Sequence, residues 1–108
     1  MISDFYCSEV LSGKTPVEKV LETERVLAYY HTRPAYEVHI VVIPKKHISS
    51  FITIGEEDNE LLLELLTVVK QIASRVVGQK GACRVITNLG EYQDSKHLHW
   101  HVVYGMRI

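Results

Sequence analysis

The stretch "EEDNELLLELLTVVKQIASRVV", residues 56–77, indicates the fold class of this 108-residue chain. Its apolar residues recur at steps of three and four, the spacing of one face of an α-helix; they are Leu62, Leu65, Leu66, Val69, Ile72, Ala73 and Val76. Thr53 and Glu56 have the spacing of a capping box, and Gly78 is the predicted stop. We therefore predict one long helix that covers the core.

Segments rich in β-branched and aromatic residues lie on both sides of this helix, and such residues favour strands. The segments are "VEKVLETE" (17–24), "VLAYYH" (26–31), "VHIVVIP" (38–44), "CRVITNL" (83–89) and "HLHWHVVY" (97–104). "ETER" (22–25) predicts a tight hairpin turn, and "SDFYCSEVLSG" (3–13) a short helix with Ser3 as N-cap and Gly13 at its end. Strands around one helix, joined by short connections, predict an α+β fold with a mainly antiparallel sheet.

Composition narrows the class of protein. The chain is 46% hydrophobic and 23% charged, which suits one compact domain over residues 1–108. Its formal net charge of −1 offers no basic face for nucleic acid or an anionic membrane. We find no signal-peptide pattern and no apolar run long enough to span a bilayer, so we expect a cytoplasmic protein with Cys7 and Cys83 free and reduced.

The segment "HLHWHVV" (97–103) places three of the six histidines at alternate positions. Residues alternate between the two faces of a strand, so His97, His99 and His101 share one side. The apolar residues between them point to the other side, where the long helix can cover them. We expect the three imidazoles on the face that the long helix does not cover.

Such a row suits two kinds of chemistry, and the first is metal binding. Positions i and i+4 of a strand lie ~13 Å apart, so three collinear histidines cannot surround one tetrahedral Zn²⁺. A zinc site would need a ligand from elsewhere, such as His31, His39 or His47, and Cys7 has no CxxC partner.

The second kind of chemistry is nucleophilic catalysis by a neutral imidazole whose other nitrogen is hydrogen-bonded to an acceptor. His99, flanked by two histidines on the same face, fits that role.

These residues resemble a known family. The pattern His-φ-His-φ-His-φ-φ, with φ apolar, is the signature of the histidine triad (HIT) nucleotide hydrolases and transferases. Three further blocks resemble the same family: "DFYCSEVLSGKTPVEKVLETERVLAY" (4–29), "VHIVVIPKKHISS" (38–50) and "RVITNLG" (84–90). The resemblance runs from about Asp4 to Tyr104, and the small Hint-type branch is the most similar one.

The resemblance implies a five-stranded antiparallel sheet and a homodimer in which two sheets join. His99 matches the nucleophile, which attacks the α-phosphorus of a nucleotide and forms a nucleotidyl-histidine intermediate. His101 matches the residue that contacts the phosphate, His97 the one that orients the nucleophile, and His39 a separate histidine behind the triad. His47 recurs in the family as well, and we interpret it as structural. The scheme requires no metal and no cofactor.

The resemblance also implies a nucleotide site. Asn88 matches an asparagine that holds the nucleophile and phosphate, and Gln93 a glutamine of the phosphate loop. Phe5, Tyr6 and Tyr29 match positions that pack the base, although core aromatic residues would look the same. The expected ligand is a purine nucleotide, as a conjugate of AMP or GMP.

The chain departs from the family pattern at two places. Asp94 replaces a common serine in a shortened loop, so either Ser95 takes over the work of that hydroxyl or the leaving group is bound differently. His31 stands where Hint-type proteins carry the acid that grips the ribose hydroxyls, and an imidazole cannot accept from two hydroxyls. Thr32 is the alternative residue for holding the ribose.

Three functions follow from the resemblance. The first is a nucleotide phosphoramidate hydrolase, which transfers a nucleotide to histidine and then hydrolyses it to a nucleoside monophosphate. The second is a dinucleoside polyphosphate hydrolase, whose longer C-terminal region this chain lacks. The third is a nucleotide-binding regulatory protein with little turnover.

Overall fold

A five-stranded antiparallel sheet forms the centre of the protein in a computed structural model that describes residues 5–108. A short helix, Tyr6–Leu11, comes before the strands, and a long helix, α1 (Asn59–Lys80), separates the third strand from the fourth. The strands are β1 (Lys19–Glu22), β2 (Val26–Tyr30), β3 (Val38–Pro44), β4 (Arg84–Ile86) and β5 (Trp100–Tyr104). They lie in the order β1-β2-β3-β5-β4, and every neighbouring pair is antiparallel. The predicted α+β class is confirmed.

Each face of the sheet is covered by a different helix. Residues of β3 that point one way, such as Ile40 and Val42, pack with Trp100 and with the buried stripe of α1. Residues that point the other way pack with Tyr6 and Val10 of the short helix. The long helix therefore covers the face predicted for it, and the short helix partly covers the face that carries the histidines.

The long helical segment begins at Glu56 as predicted, with a 3-10 turn (Glu56–Asp58) that leads into α1, but its predicted end and cap are wrong. The helix continues through Gly78 and ends at Gly81, which has a φ of 89°. Thr53 forms a capping box with Ser50 around a short 3-10 turn, so the predicted pairing of Thr53 with Glu56 is wrong. The buried stripe is also shifted, since Leu61 and Val68 are buried whereas Leu66 is 44% exposed.

Several predicted strands are longer than the observed ones. β5 begins at Trp100, so His97 and His99 precede the strand and only His101 lies within it. The hairpin turn between β1 and β2 is present, with the Thr23 N–H donating to the Val26 carbonyl at 2.8 Å. The predicted N-cap Ser3 lies outside the described residues. No helix in residues 5–108 is long and apolar enough to cross a membrane.

Alanine at the two helix glycines should have opposite effects on stability. Gly78 lies inside the helix with open space around it, so Gly78→Ala should raise the free energy of unfolding by about 0.5–1 kcal/mol. Gly81 has a left-handed backbone conformation, which an alanine adopts only with strain, so Gly81→Ala should lower the free energy of unfolding by about 1 kcal/mol. Urea unfolding of both variants measures this, and a gain in stability from Gly81→Ala would contradict the observed helix end.

Candidate functional site

Two adjacent strands and the segment that leads into β5 bring His39, His99 and His101 together. Val41 of β3 is the register partner of His101 in β5, and His39 is the partner of Val103. This register places His39 and His101 diagonally on one face, with ring centroids 5.0 Å apart. His99 lies next to His101 at the same centroid distance of 5.0 Å.

The backbone fixes the tautomer of His99. Its Nδ1 lies 2.7 Å from the carbonyl oxygen of His97. A carbonyl can only accept, so Nδ1 carries the proton and the lone pair of the neutral ring lies on Nε2. The hydroxyl of Thr87 donates to the carbonyl of His99 at 2.9 Å and holds that residue's backbone. His99 is thus a buried imidazole whose Nε2 carries the lone pair in the neutral ring.

A second chain of hydrogen bonds fixes His39 and His101. The backbone N–H of Ala35 donates to Nδ1 of His39 at 3.0 Å, so the neutral His39 carries its proton on Nε2. That Nε2 lies 2.9 Å from Nδ1 of His101, which must accept. The remaining proton of His101 is therefore on its Nε2, and His101 presents an N–H donor.

Both of these histidines are neutral at neutral pH. Burial, together with the charge of His31, lowers the pKa of His39 to about 4. Burial, followed by the charges of His99, His39 and His31, lowers the pKa of His101 to about 3. The neutral forms that the hydrogen-bond chain requires are thus the forms present.

His97 faces away from this chain, toward a group that can hold a metal. Its Nε2 donates to the carbonyl of Pro44 at 2.8 Å, and its Nδ1 lies 3.3 Å from Sγ of Cys7. Ligand atoms of Cys7, His47 and His97 lie within 4.8 Å of one another. Thiolate and imidazole are ligands that Zn²⁺ prefers. The prediction that Cys7 lacks a metal-binding partner considered only neighbours in sequence, whereas the fold supplies two histidines.

One cavity lies against His99 and is lined by aromatic side chains. It has a volume of about 460 Å³, and Phe5, Tyr6 and Tyr29 form part of its wall. The ring of Tyr6 is 4.9 Å from that of His99, centroid to centroid. The predicted residues His31, Thr32, Asp94, Ser95 and His101 line the same cavity. Flat apolar walls beside an imidazole suit a planar heteroaromatic base.

A second cavity of about 350 Å³ adjoins the first and is more polar. His31, Arg33, Asp94 and His101 line both cavities, and the predicted Asn88 lines the second one only. The two cavities therefore meet at His101.

His31 offers a donor to these cavities. The backbone N–H of Arg33 donates to Nδ1 of His31 at 2.9 Å, which uses the acceptor nitrogen. Burial, followed by the charge of His99, lowers the pKa of His31, so the ring is neutral and its proton is on Nε2. His31 can therefore donate to a ligand but has no acceptor nitrogen left for one.

Gln93 and Ser95, two predicted site residues of the loop before His97, have different environments. The side-chain amide of Gln93 is buried and donates to the Ser49 carbonyl at 2.6 Å, and Gln93 lines neither cavity. The hydroxyl oxygen of Ser95 is buried and has no hydrogen-bond partner in the described part of the chain. Ser95, on the wall of the first cavity, thus has hydrogen-bonding capacity that a ligand could use.

Sequence reasoning missed Thr87, Arg33 and Arg107. Thr87 lies one residue from Asn88 and could have been found as a polar residue at the end of a predicted strand. Arg107 comes from the C-terminal segment, and no pattern in the sequence connects it with the histidines.

Comparisons with known proteins give one consistent result. A family model described as HIT domain matches residues 12–107. An uncharacterized HIT-like protein of Helicobacter pylori is 30% identical over 99 residues, covering 90% of this chain and 92% of that protein. A solved HIT family hydrolase from Legionella pneumophila superposes with a TM-score of 0.83 at 28% identity, covering 97% of this chain and 95% of the other. A hypothetical histidine triad nucleotide-binding protein from Sulfolobus tokodaii gives 0.80 at 29% identity, with 93% and 67% covered.

Proposed function

Because the chain belongs to the HIT family, we propose that it is a nucleotide phosphoramidate hydrolase acting at the α-phosphorus. The supporting observation is the hydrogen bond of 2.7 Å from Nδ1 of His99 to the His97 carbonyl. That bond leaves the lone pair on Nε2 of a histidine that lines an aromatic cavity.

In the first step, Nε2 of His99 attacks the α-phosphorus. A phosphorus–nitrogen bond to His99 forms as the bond to the leaving amine breaks, and the amine takes up a proton as it departs. Negative charge on the phosphoryl oxygens needs fixed donors, because there is little covalent work for the protein to do. The Nε2–H of His101 is one such donor, and the Asn88 amide and the loop before His97 supply others.

In the second step, water attacks the same phosphorus and breaks the bond to His99. The products are a nucleoside monophosphate and the free imidazole. Two displacements at one phosphorus replace one difficult hydrolysis by two easier reactions. The hydrogen bond to the His97 carbonyl remains in place throughout, so the ring is oriented for both steps.

The aromatic cavity supports a nucleotide as the ligand. Phe5, which is 36% exposed, offers a ring face for a purine of an AMP or GMP conjugate, and the buried Tyr6 and Tyr29 add apolar surface to the same wall. The Sulfolobus tokodaii relative is itself named a nucleotide-binding protein. A role in nucleotide-dependent regulation with little turnover, and hydrolysis of dinucleoside polyphosphates, are the competing functions.

Removal of the nucleophile tests the proposal directly. His99→Ala should lower turnover of adenosine 5′-phosphoramidate by at least about 10³-fold while nucleotide binding stays measurable. Mass spectrometry of the wild-type protein, quenched without acid during turnover, should detect a nucleotidyl adduct on His99 that His99→Ala lacks. Near-normal turnover by His99→Ala would refute the mechanism, and binding without any wild-type turnover would favour the regulatory function.

The proposed chemistry needs no metal. Prolonged chelation should leave the rate within about twofold, because protein donors meet the charge on the phosphoryl group. Cys7→Ser removes the thiol of the possible metal cluster and provides the matched variant. A loss of activity on chelation that added Zn²⁺ restores in the wild type, but not in Cys7→Ser, would show that the cluster is a required metal site.

We also propose a homodimer. β4 is a three-residue edge strand whose Val85 is 46% exposed. An open sheet edge that carries an exposed apolar residue is a surface that a second copy can cover. Light scattering at micromolar concentration should give about twice the chain mass of 12.4 kDa, and a clean monomer would contradict the proposal.

We expect weak ribose recognition, because His31 stands where the family carries the acid that binds the ribose hydroxyls. An aspartate there would accept from both ribose hydroxyls, whereas His31 has its acceptor nitrogen occupied by the Arg33 N–H. We expect kcat/KM for adenosine and 2′-deoxyadenosine phosphoramidates to differ by less than about tenfold. His31→Asp should raise this ratio by about tenfold, the factor that ~1.4 kcal/mol represents.

The variant His31→Asn is the control for this experiment, since it provides an acceptor without a negative charge. A smaller rise in His31→Asn than in His31→Asp is expected. A strong ribose preference of the wild type that neither variant changes would show that position 31 does not contact the sugar.

A further inference from the structure

The second cavity has a wall rich in hydrogen-bond donors and cations. Arg33 and Arg107 line it together with the side-chain amide of Asn88. Within residues 5–108, no carboxylate lies within salt-bridge distance of either guanidinium, whereas other cations such as Lys19 and Arg25 are paired. The charge of both arginines is therefore available to a ligand.

Three histidines line this cavity: His31 and His101 add donors and no acceptor, and both ring nitrogens of His39 are already hydrogen-bonded. Nε2 of His101 carries a proton because Nδ1 accepts from His39. Nε2 of His31 carries a proton because Nδ1 accepts from the Arg33 N–H. Asp94 is the one carboxylate among the lining residues of this cavity. Two positive charges against one negative charge, with several N–H donors, favour an anion.

We propose that the second cavity binds an anionic group, a carboxylate or a phosphate, on the leaving group of the substrate, with Arg33 and Arg107 as its specificity determinants. The inference rests on the proposed function. The second cavity has a volume of about 350 Å³, which lies within the range of small-ligand sites, so there is room for a substituent beyond the phosphoryl group.

The arrangement of the two cavities assigns the leaving group to the second one. The aromatic cavity contains His99 and suits the nucleoside, and the polar cavity does not include His99 in its wall. In an in-line displacement the leaving atom departs on the side away from the attacking nitrogen. A phosphorus held at His101, where the cavities meet, would therefore release its leaving group toward Arg33 and Arg107.

The step balances without a further reactant. The bond from Nε2 of His99 to phosphorus forms, the phosphorus–nitrogen bond of the substrate breaks, and the leaving amine takes a proton from water. The anionic group of the amine takes no part in bond making. It contributes binding energy that positions the scissile bond.

A series of substrates with one type of scissile bond tests this inference. Adenosine 5′-phosphoramidates of propylamine, 1,3-diaminopropane, β-alanine and 2-aminoethyl phosphate carry a neutral, a cationic, a carboxylate and a phosphate leaving group. We expect kcat/KM for at least one anionic conjugate to exceed that of the propylamine conjugate by tenfold or more. The carboxylate and phosphate conjugates show which anion the cavity prefers, and the cationic conjugate should be the poorest substrate.

Variants assign the effect to the arginines. In the double variant Arg33→Gln/Arg107→Gln, the ratio of anionic to neutral substrate should fall to about one. Asp94→Asn should raise the ratio, because it removes the negative charge from the wall. Arg75→Gln is the matched control, since Arg75 is an exposed arginine of α1 that lines neither cavity, and it should leave the ratio unchanged. Equal turnover of the whole series, or a ratio that the double variant keeps, would overturn the inference.

Binding to His99→Ala separates this inference from the proposed function. This variant cannot form the covalent adduct, so calorimetry measures the affinity of the intact conjugates. Tighter binding of an anionic conjugate than of the propylamine conjugate, lost when both arginines are replaced, supports the inference even if the wild type hydrolyses none of them. Equal affinities would refute it even if turnover is observed.

Discussion

The backbone N–H of Ala35 donates to Nδ1 of His39, and the chemistry of the site depends on the direction of this bond. It forces the proton of His39 onto Nε2, from which it is donated to His101. His101 must then present an N–H to the cavities. If Nδ1 of His39 carried the proton instead, His101 would present a lone pair there and would repel a phosphoryl oxygen. A loop amide thus sets the sign of an electrostatic interaction two rings away.

Backbone hydrogen bonds also orient His99, the proposed nucleophile. Main-chain carbonyls accept from His99 and from His97, so each ring is held by an uncharged group of a packed backbone. Many catalytic histidines are oriented by a carboxylate, which also stabilises the protonated ring. Here a carboxylate behind the ring would place negative charge near a phosphate. Neutral acceptors give the orientation without that repulsion.

The local sequence pattern predicts which face each residue of β5 occupies, but long-range packing decides where the strand begins. The alternation in "HLHWHVV" correctly places Trp100 on the opposite face from the histidines, because the apolar residues of this segment pack against α1. It does not show where the strand starts, since β5 pairs with β3 only as far as Trp100 opposite Val42. Beyond that point the Leu98 N–H donates to the Ile48 carbonyl instead, at 2.6 Å. That partner lies about fifty residues away, and no local pattern specifies it.

The end of the long helix and the histidine tautomers also depend on tertiary contacts that the local sequence pattern does not predict. A glycine lowers helix propensity by about 1 kcal/mol, which tertiary packing overcomes at Gly78 because Val76 on the buried face holds the helix against the sheet. The tautomers of His39 and His31 depend on N–H groups of the loop between β2 and β3. Loop hydrogen bonds of this kind leave no periodic signal in the sequence.

Low pKa values determine where the positive charge of the site must come from. His39 and His101 have pKa values of about 4 and about 3, lowered mainly by burial, so neither ring is cationic at neutral pH. In the unfolded chain such rings bind protons below about pH 6.5, so their contribution to stability decreases as the pH falls from 6.5 toward 4. The folded protein thus gives up stability in weak acid to keep both rings neutral and correctly protonated. A neutral ring donates a hydrogen bond but carries no charge, so positive charge on the wall of the second cavity comes from Arg33 and Arg107, the two residues that we propose bind an anionic leaving group.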